Sequence, residues 1–226
     1  GRGPSGRNGG FCHGYWSHLP RLRERFGEAG AIEVARASEA IVRGVRAFAE
    51  REGVDVWLRE GGILRVSAAP AQDHAVDDEV DVARELGYPD EAVLLSEEEV
   101  AERIRSPRFR KGVFLRDGAT VQPARLAQAL RSAVARDARL HEHTRATDIS
   151  DGVVTTARGR VRAKEIIVGV NAAAAGWKPL RRRLTVFGSY VVLTEPVPEL
   201  VEQIAWTRGE AVIDGKLAPL GTMGGL

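Results

Sequence analysis

The chain has 226 residues, 43% of them hydrophobic and 28% charged, a balance that suits a folded globular protein and excludes a disordered or fibrous one. Lys and Arg number 33 against 31 Asp and Glu, and a net charge of +2 is too balanced to grip the phosphates of nucleic acid. The longest apolar run, Ile166 to Gly176, falls short of the roughly 20 residues that cross a bilayer.

The first ten residues hold five glycines and no apolar side chain before Phe11. In this loop Ser5, Arg7 and Asn8 carry groups that bond phosphate or ribose oxygens, and the glycines let a backbone approach a ligand. Taken alone the loop reads as a flexible segment or cut end, because no Lys-Ser or Lys-Thr pair follows the glycines and no strand precedes them. The glycine-rich opening and the stretch from Gly209 to Leu226, with five glycines and Pro219, read as cuts through a larger fold.

From Gly30 to Arg51, Ile32, Val34, Ile41, Val42, Val45, Phe48 and Ala49 recur at helical spacing, which predicts one amphipathic helix capped by Gly53. Val54 to Leu58 alternates as a half-buried strand does, and Gly61 to Val66 predicts a second strand. Pro70 to Leu86 reads as an acidic helix with Asp77, Asp78, Glu79 and Asp81 on its wet face. Ser96 and Glu99 form a capping box for a short helix over 97–103. A strand over 113–115 and a turn at Asp117-Gly118 lead to a helix that starts at Pro123 and buries Leu126, Leu130, Ala133 and Val134. Strands are then expected at 140–144, 153–156, 161–163, 165–170 and 185–193, the fourth buried on both faces because its apolar residues are consecutive. Helices alternate with strands, hairpins intervene, and no repeat has a fixed period. The pattern is α/β in part and α+β in part, with two domains threaded through each other.

Nucleophile and metal chemistry find little support. His13 and His18 stand near Cys12, and His141 and His143 are two apart on an expected strand, yet neither spacing matches a zinc site. Arg7 lies close enough in sequence to lower the pKa of Cys12, although a lone cysteine is also simply inert. A single cysteine excludes a disulfide within the chain and fits a reducing compartment, so a cytoplasmic location is expected. Arg181-Arg182-Arg183 reads as a solvated loop.

Four segments in order carry a family likeness: Ser5-Gly6-Arg7-Asn8-Gly9-Gly10-Phe11, Arg59-Glu60-Gly61-Gly62-Ile63-Leu64, Asp117 to Pro123 followed by Leu126 and Leu130, and Thr144 to Ala172. Together they resemble the FAD-dependent amine and amino-acid oxidoreductases of the D-amino-acid oxidase superfamily, with glycine oxidase, sarcosine oxidase and above all the γ-glutamylputrescine oxidoreductase branch. The resemblance implies a discontinuous, Rossmann-like FAD-binding domain over 1–53 and 120–180. A mixed-sheet substrate domain, over 54–119 and 181–226, is interleaved with it, and both are truncated. It also implies FAD as cofactor, a small amine or amino acid as substrate, and hydride transfer to flavin N5 followed by hydrolysis of the imine. By the same resemblance Ser5, Arg7, Asn8, Gly9 and Gly10 contact FAD, Ala146 meets the adenine where the family usually has Val, and Asn171 and Ala172 end a strand near the cofactor. Tyr190 would border the substrate cavity or pack into the sheet. The alternative function is a non-catalytic module that binds or assembles without flavin, and it draws on the missing glycine turn that holds a pyrophosphate in the family.

Overall fold

The computed structural model describes residues 3–188 and 190–214, so the expectations for the stretch after Asp214 lie outside the described residues. The chain opens with a 3₁₀ turn at Pro4–Gly6 and strand β1, Phe11–His13. Helices α1 (Leu19–Ser38) and α2 (Ala40–Glu52) follow. The single helix expected from Gly30 is therefore two, and the first begins eleven residues earlier, with a kink at Gly27 where φ is 71°. The break falls after Ser38, whose hydroxyl donates to the Ala35 carbonyl and accepts from the Tyr15 backbone N–H, tying the helix end to the segment after β1. Gly53 caps α2 in the left-handed conformation, as expected.

The main sheet has strand order β3-β4-β2-β9, with β2 at Ile63–Val66, β3 at Val93–Leu95, β4 at Gly112–Leu115 and β9 at Ala211–Asp214. β4 is antiparallel to both β2 and β3, whereas β9 pairs with β2 in parallel, Ile63 opposite Ala211. Helix α3, Asp73–Glu85, lays Val76, Val80 and Ala83 into a core shared with Ile63, Val113, Leu115 and α1. One residue of its expected wet face is inside: Glu79 is 5% exposed and paired with Arg65 of β2, because the helix turns that position toward the sheet. The other sheet face packs Leu64 and Val66 on Val100 and Ile104, beyond the short helix α4 (Glu97–Ala101) with its capping box.

Strand β5, Gly118–Thr120, pairs antiparallel with β1 and leads into α5, Pro123–Asp137. Val54 to Leu58 is not a strand. Its alternation of burial holds, with Val56 inside and Asp55 and Trp57 outside, but Trp57 has φ 54°, which breaks an extended ladder. The apolar stripe of α5 is not buried either; Leu130 and Val134 stay exposed because no described sheet covers them.

A three-stranded antiparallel sheet follows: β6 (Ala146–Ser150), β7 (Val153–Thr156) and β8 (Gly159–Arg162), with a turn before Gly159. Residues 140–144 form a turn rather than a strand, and His143 has φ 52°. The expected strand over 165–170 does not form, and Ile167 is 95% exposed. A consecutive apolar run needs partners on both faces, and the described residues supply none. The same reason applies to 185–193, which makes no ladder among the described residues. A 3₁₀ segment at Asn171–Gly176 and a short helix α6, Pro198–Gln203, complete the described chain.

Candidate functional site

The opening loop is fixed by its own side chains. Asn8 Nδ2 donates to the carbonyls of Pro4 (3.1 Å) and Ser5 (3.2 Å), and Asn8 Oδ1 accepts from the Gly10 N–H (2.8 Å). This is an Asx turn, which spends the Asn8 amide on shaping the loop. Gly10 has φ 74°, and a Cβ there would lie 2.2 Å from the Val121 carbonyl oxygen, so glycine is required for close packing against the segment after β5. Gly9 differs: a Cβ would meet nothing within 4 Å, and the space before its backbone is open.

That open space belongs to a cleft of about 770 Å³, within the range of ligand sites. Gly6 to Gly9 form one wall. Thr120 to Pro123 form the second, and Trp57 with Arg59 form the third. Arg59 is held by two backbone hydrogen bonds with Thr120, at 2.9 and 2.8 Å, and Val56 accepts from the Gln122 N–H at 2.9 Å. The three segments are far apart in sequence, and the β1–β5 pairing brings the first two together. Val191 and Leu193 close one side, whereas Tyr190 is 94% exposed and not among the lining residues.

The cleft is cationic. Arg7 and Arg59 line it, neither makes an ion pair among the described residues, and no carboxylate stands in its wall. Two unopposed guanidinium groups, an exposed backbone at Gly9 and the Trp57 indole suit an anion joined to a planar ring, which is the chemistry of a flavin dinucleotide. The residues present therefore fit FAD.

The expected contact set is divided in space. Arg7, Asn8 and Gly9 line this cleft, while Ala146 lines a second cavity of about 500 Å³ with Val168, Val170, Ala174 and Trp177. Ser5, Gly10, Asn171 and Ala172 are not among the lining residues of either. Asn171 opens the 3₁₀ segment with φ 50° and its Oδ1 accepts from the Ala172 N–H at 2.5 Å. Sequence reasoning missed Trp57 as a wall of the site and treated Arg59 only as the entry to a strand. The available signal was Asp55 two residues before Trp57, since Asp at that spacing caps a tight turn.

Elsewhere the chemistry is quiet. Burial, then the charges of Asp117 and Glu60, push the Cys12 thiol up, so Arg7 does not activate it. Asp117 and Glu91 border a third cavity of about 340 Å³ beside Arg43, Arg46 and Arg116, and burial raises both carboxyls. The described residues contain no group of His, Cys, Asp and Glu arranged to hold a metal, and no described helix is long and apolar enough to cross a membrane.

The family model for DAO, FAD dependent oxidoreductase, matches residues 1–217. The chain belongs to the DAO family. FAD is the cofactor this membership assigns. Among solved structures, this DAO chain is similar to glycine oxidase from Geobacillus kaustophilus, with a TM-score of 0.60 and 24% identity over 77% of this chain and 47% of that one. It is also similar to glycine oxidase from Bacillus cereus ATCC 14579, with a TM-score of 0.53 and 22% identity over 70% and 42%. Both likenesses show the mixed α/β fold, and the DAO chain spans a little under half the length of each. No curated protein matched.

Proposed function

We propose that the protein oxidises the carbon–nitrogen bond of a small amine or amino acid, with FAD seated in the cleft between the opening loop and Arg59. The observation that carries this reading is that Arg7 and Arg59 both line a carboxylate-free cleft, one wall of which is open backbone at Gly9. When bound, FAD supplies a two-electron acceptor, so that hydride leaves the carbon bearing the amine and water hydrolyses the resulting imine to a carbonyl compound and ammonia or an amine. The two guanidinium groups hold the anionic part of the cofactor. The Asn8 turn presents the Gly9 backbone without a side chain in the way, and the Arg59–Thr120 bonds keep the opposite wall rigid.

The division into an FAD-binding part, 1–53 with 120–180, and a substrate part, 54–119 with 181–226, belongs to the same proposal. In its support, β9 joins β2 inside the second part. A cytoplasmic enzyme without nucleic-acid partners is also proposed, in keeping with the balanced charge.

One observation favours the second reading, a module that binds without flavin: Ala146 and the loop residues line separate cavities. Equilibrium dialysis of FAD against the purified chain decides between them. The expected result is retention of FAD that weakens with salt and falls about tenfold in Arg59→Ala, the loss of one charge-assisted contact. A chain that retains no FAD overturns the proposal. Bleaching of the FAD-loaded protein by amino acids or amines without oxygen tests the oxidation itself.

A further inference from the structure

We infer that Trp57 is the stacking platform of the cleft, its indole packing on the planar ring of a bound flavin while Asp55 and Arg125 act as positioning residues. The inference rests on the reading of the cleft as an FAD site.

Trp57 is unlike the other tryptophans in the described residues. Trp16 is buried in the main core, Trp177 is half-buried beside the second cavity, and Trp206 donates its ring N–H to the Glu210 carbonyl, whereas Trp57 is 53% exposed. It also sits at φ 54°, a conformation that a bulky side chain rarely adopts. Such a residue persists only where its surroundings over-determine it.

Here they do. The Trp57 backbone N–H donates to Asp55 Oδ1 at 2.8 Å. Arg125 Nη1 donates to the Asp55 carbonyl at 3.1 Å and to Asp55 Oδ2 at 3.4 Å, and the Arg125 Cζ stands 4.2 Å from the Trp57 ring centre. Arg125 is fixed in turn, since its backbone N–H donates to Gln122 Oε1 at the start of α5. Buried Val56 on one side and Arg59 on the other are bonded to Gln122 and Thr120.

The backbone around Trp57 is therefore pinned on both flanks, and the indole is kept out of the core at the border of the cleft, facing the same space as Arg7, Gly9 and Arg59. A guanidinium already covers part of the ring. An electron-rich indole held at fixed geometry complements an electron-poor fused ring, and offset stacking is the arrangement such pairs prefer. The chemistry points to the isoalloxazine rather than to the adenine of the cofactor.

The test uses the 226-residue chain with FAD, FMN and ADP, read by tryptophan fluorescence and by dialysis. FAD is expected to quench wild-type emission. Trp57→Phe, which keeps an aromatic ring, is expected to bind FAD within about threefold of wild type and to lose the largest share of that quench. Trp57→Ala is expected to weaken FAD and FMN about tenfold and to leave ADP unchanged. Arg125→Ala is expected to weaken FAD less than Trp57→Ala does, with unaltered circular dichroism. Wild-type affinity for FAD in Trp57→Ala overturns the stacking role while the flavin site stands. An equal loss of ADP overturns it in favour of an adenine contact. A wild-type chain that binds neither FAD nor FMN removes the flavin site and this inference together.

Discussion

Ile63 and Ile167 both sit in short runs rich in branched apolar residues, yet one is 1% exposed in β2 and the other 95% exposed in a segment without a ladder. β2 has a partner along each edge, α3 over one face and α4 with Ile104 under the other. The run over 165–170 has none of these among the described residues. Apolar content predicts the wish to be buried, and neighbours decide whether the strand exists.

The sharpest way to break this contrast is inside the well-partnered region. Glu79→Leu leaves the Arg65 guanidinium enclosed between β2 and α3 without its carboxylate, and a cost of about 3–5 kcal/mol is expected in urea unfolding. The double change Arg65→Leu with Glu79→Leu is expected to restore most of it, since two apolar side chains replace the enclosed pair. Next in size, Ile63→Ala is expected to cost about 2–5 kcal/mol, whereas Ile167→Ala stays within about 0.5 kcal/mol of wild type. Equal costs at the two positions would mean that the segment around Ile167 is packed in solution.

The smallest effect depends on pH. The Arg110 hydrogen bond, then the Ser67 hydroxyl, hold the Asp73 carboxyl at about 2 against its ordinary 3.8. Because the folded value is the lower one, the stabilisation is fully present above the ordinary value and disappears as the pH falls through about 2. Thermal melts of wild type and Asp73→Asn should therefore differ at neutral pH and converge in strong acid. A constant difference would refute the linkage.

Local chemistry was the legible part of the sequence. The Ser96 and Glu99 capping box, the Gly53 helix end and the Pro123 helix start are each specified within four residues, and each stands where the sequence puts it. Glu79 could not be read this way, because its burial depends on Arg65 in a different element. The candidate site divides along the same line. The opening loop declared itself through its glycines, while Trp57 and Arg59 became visible only when the β1–β5 pairing and the Arg59–Thr120 bonds closed three distant segments around one cleft.

The parallel pairing of β2 with β9 has a kinetic consequence. During synthesis β2 and β4 can zip together early, but the other edge of β2 keeps its amides and carbonyls unclaimed until Ala211–Asp214 emerges, long after β2 itself. An open edge held that long invites pairing with a neighbouring nascent chain. Yield of native material should thus depend on dilution and on how quickly translation reaches β9.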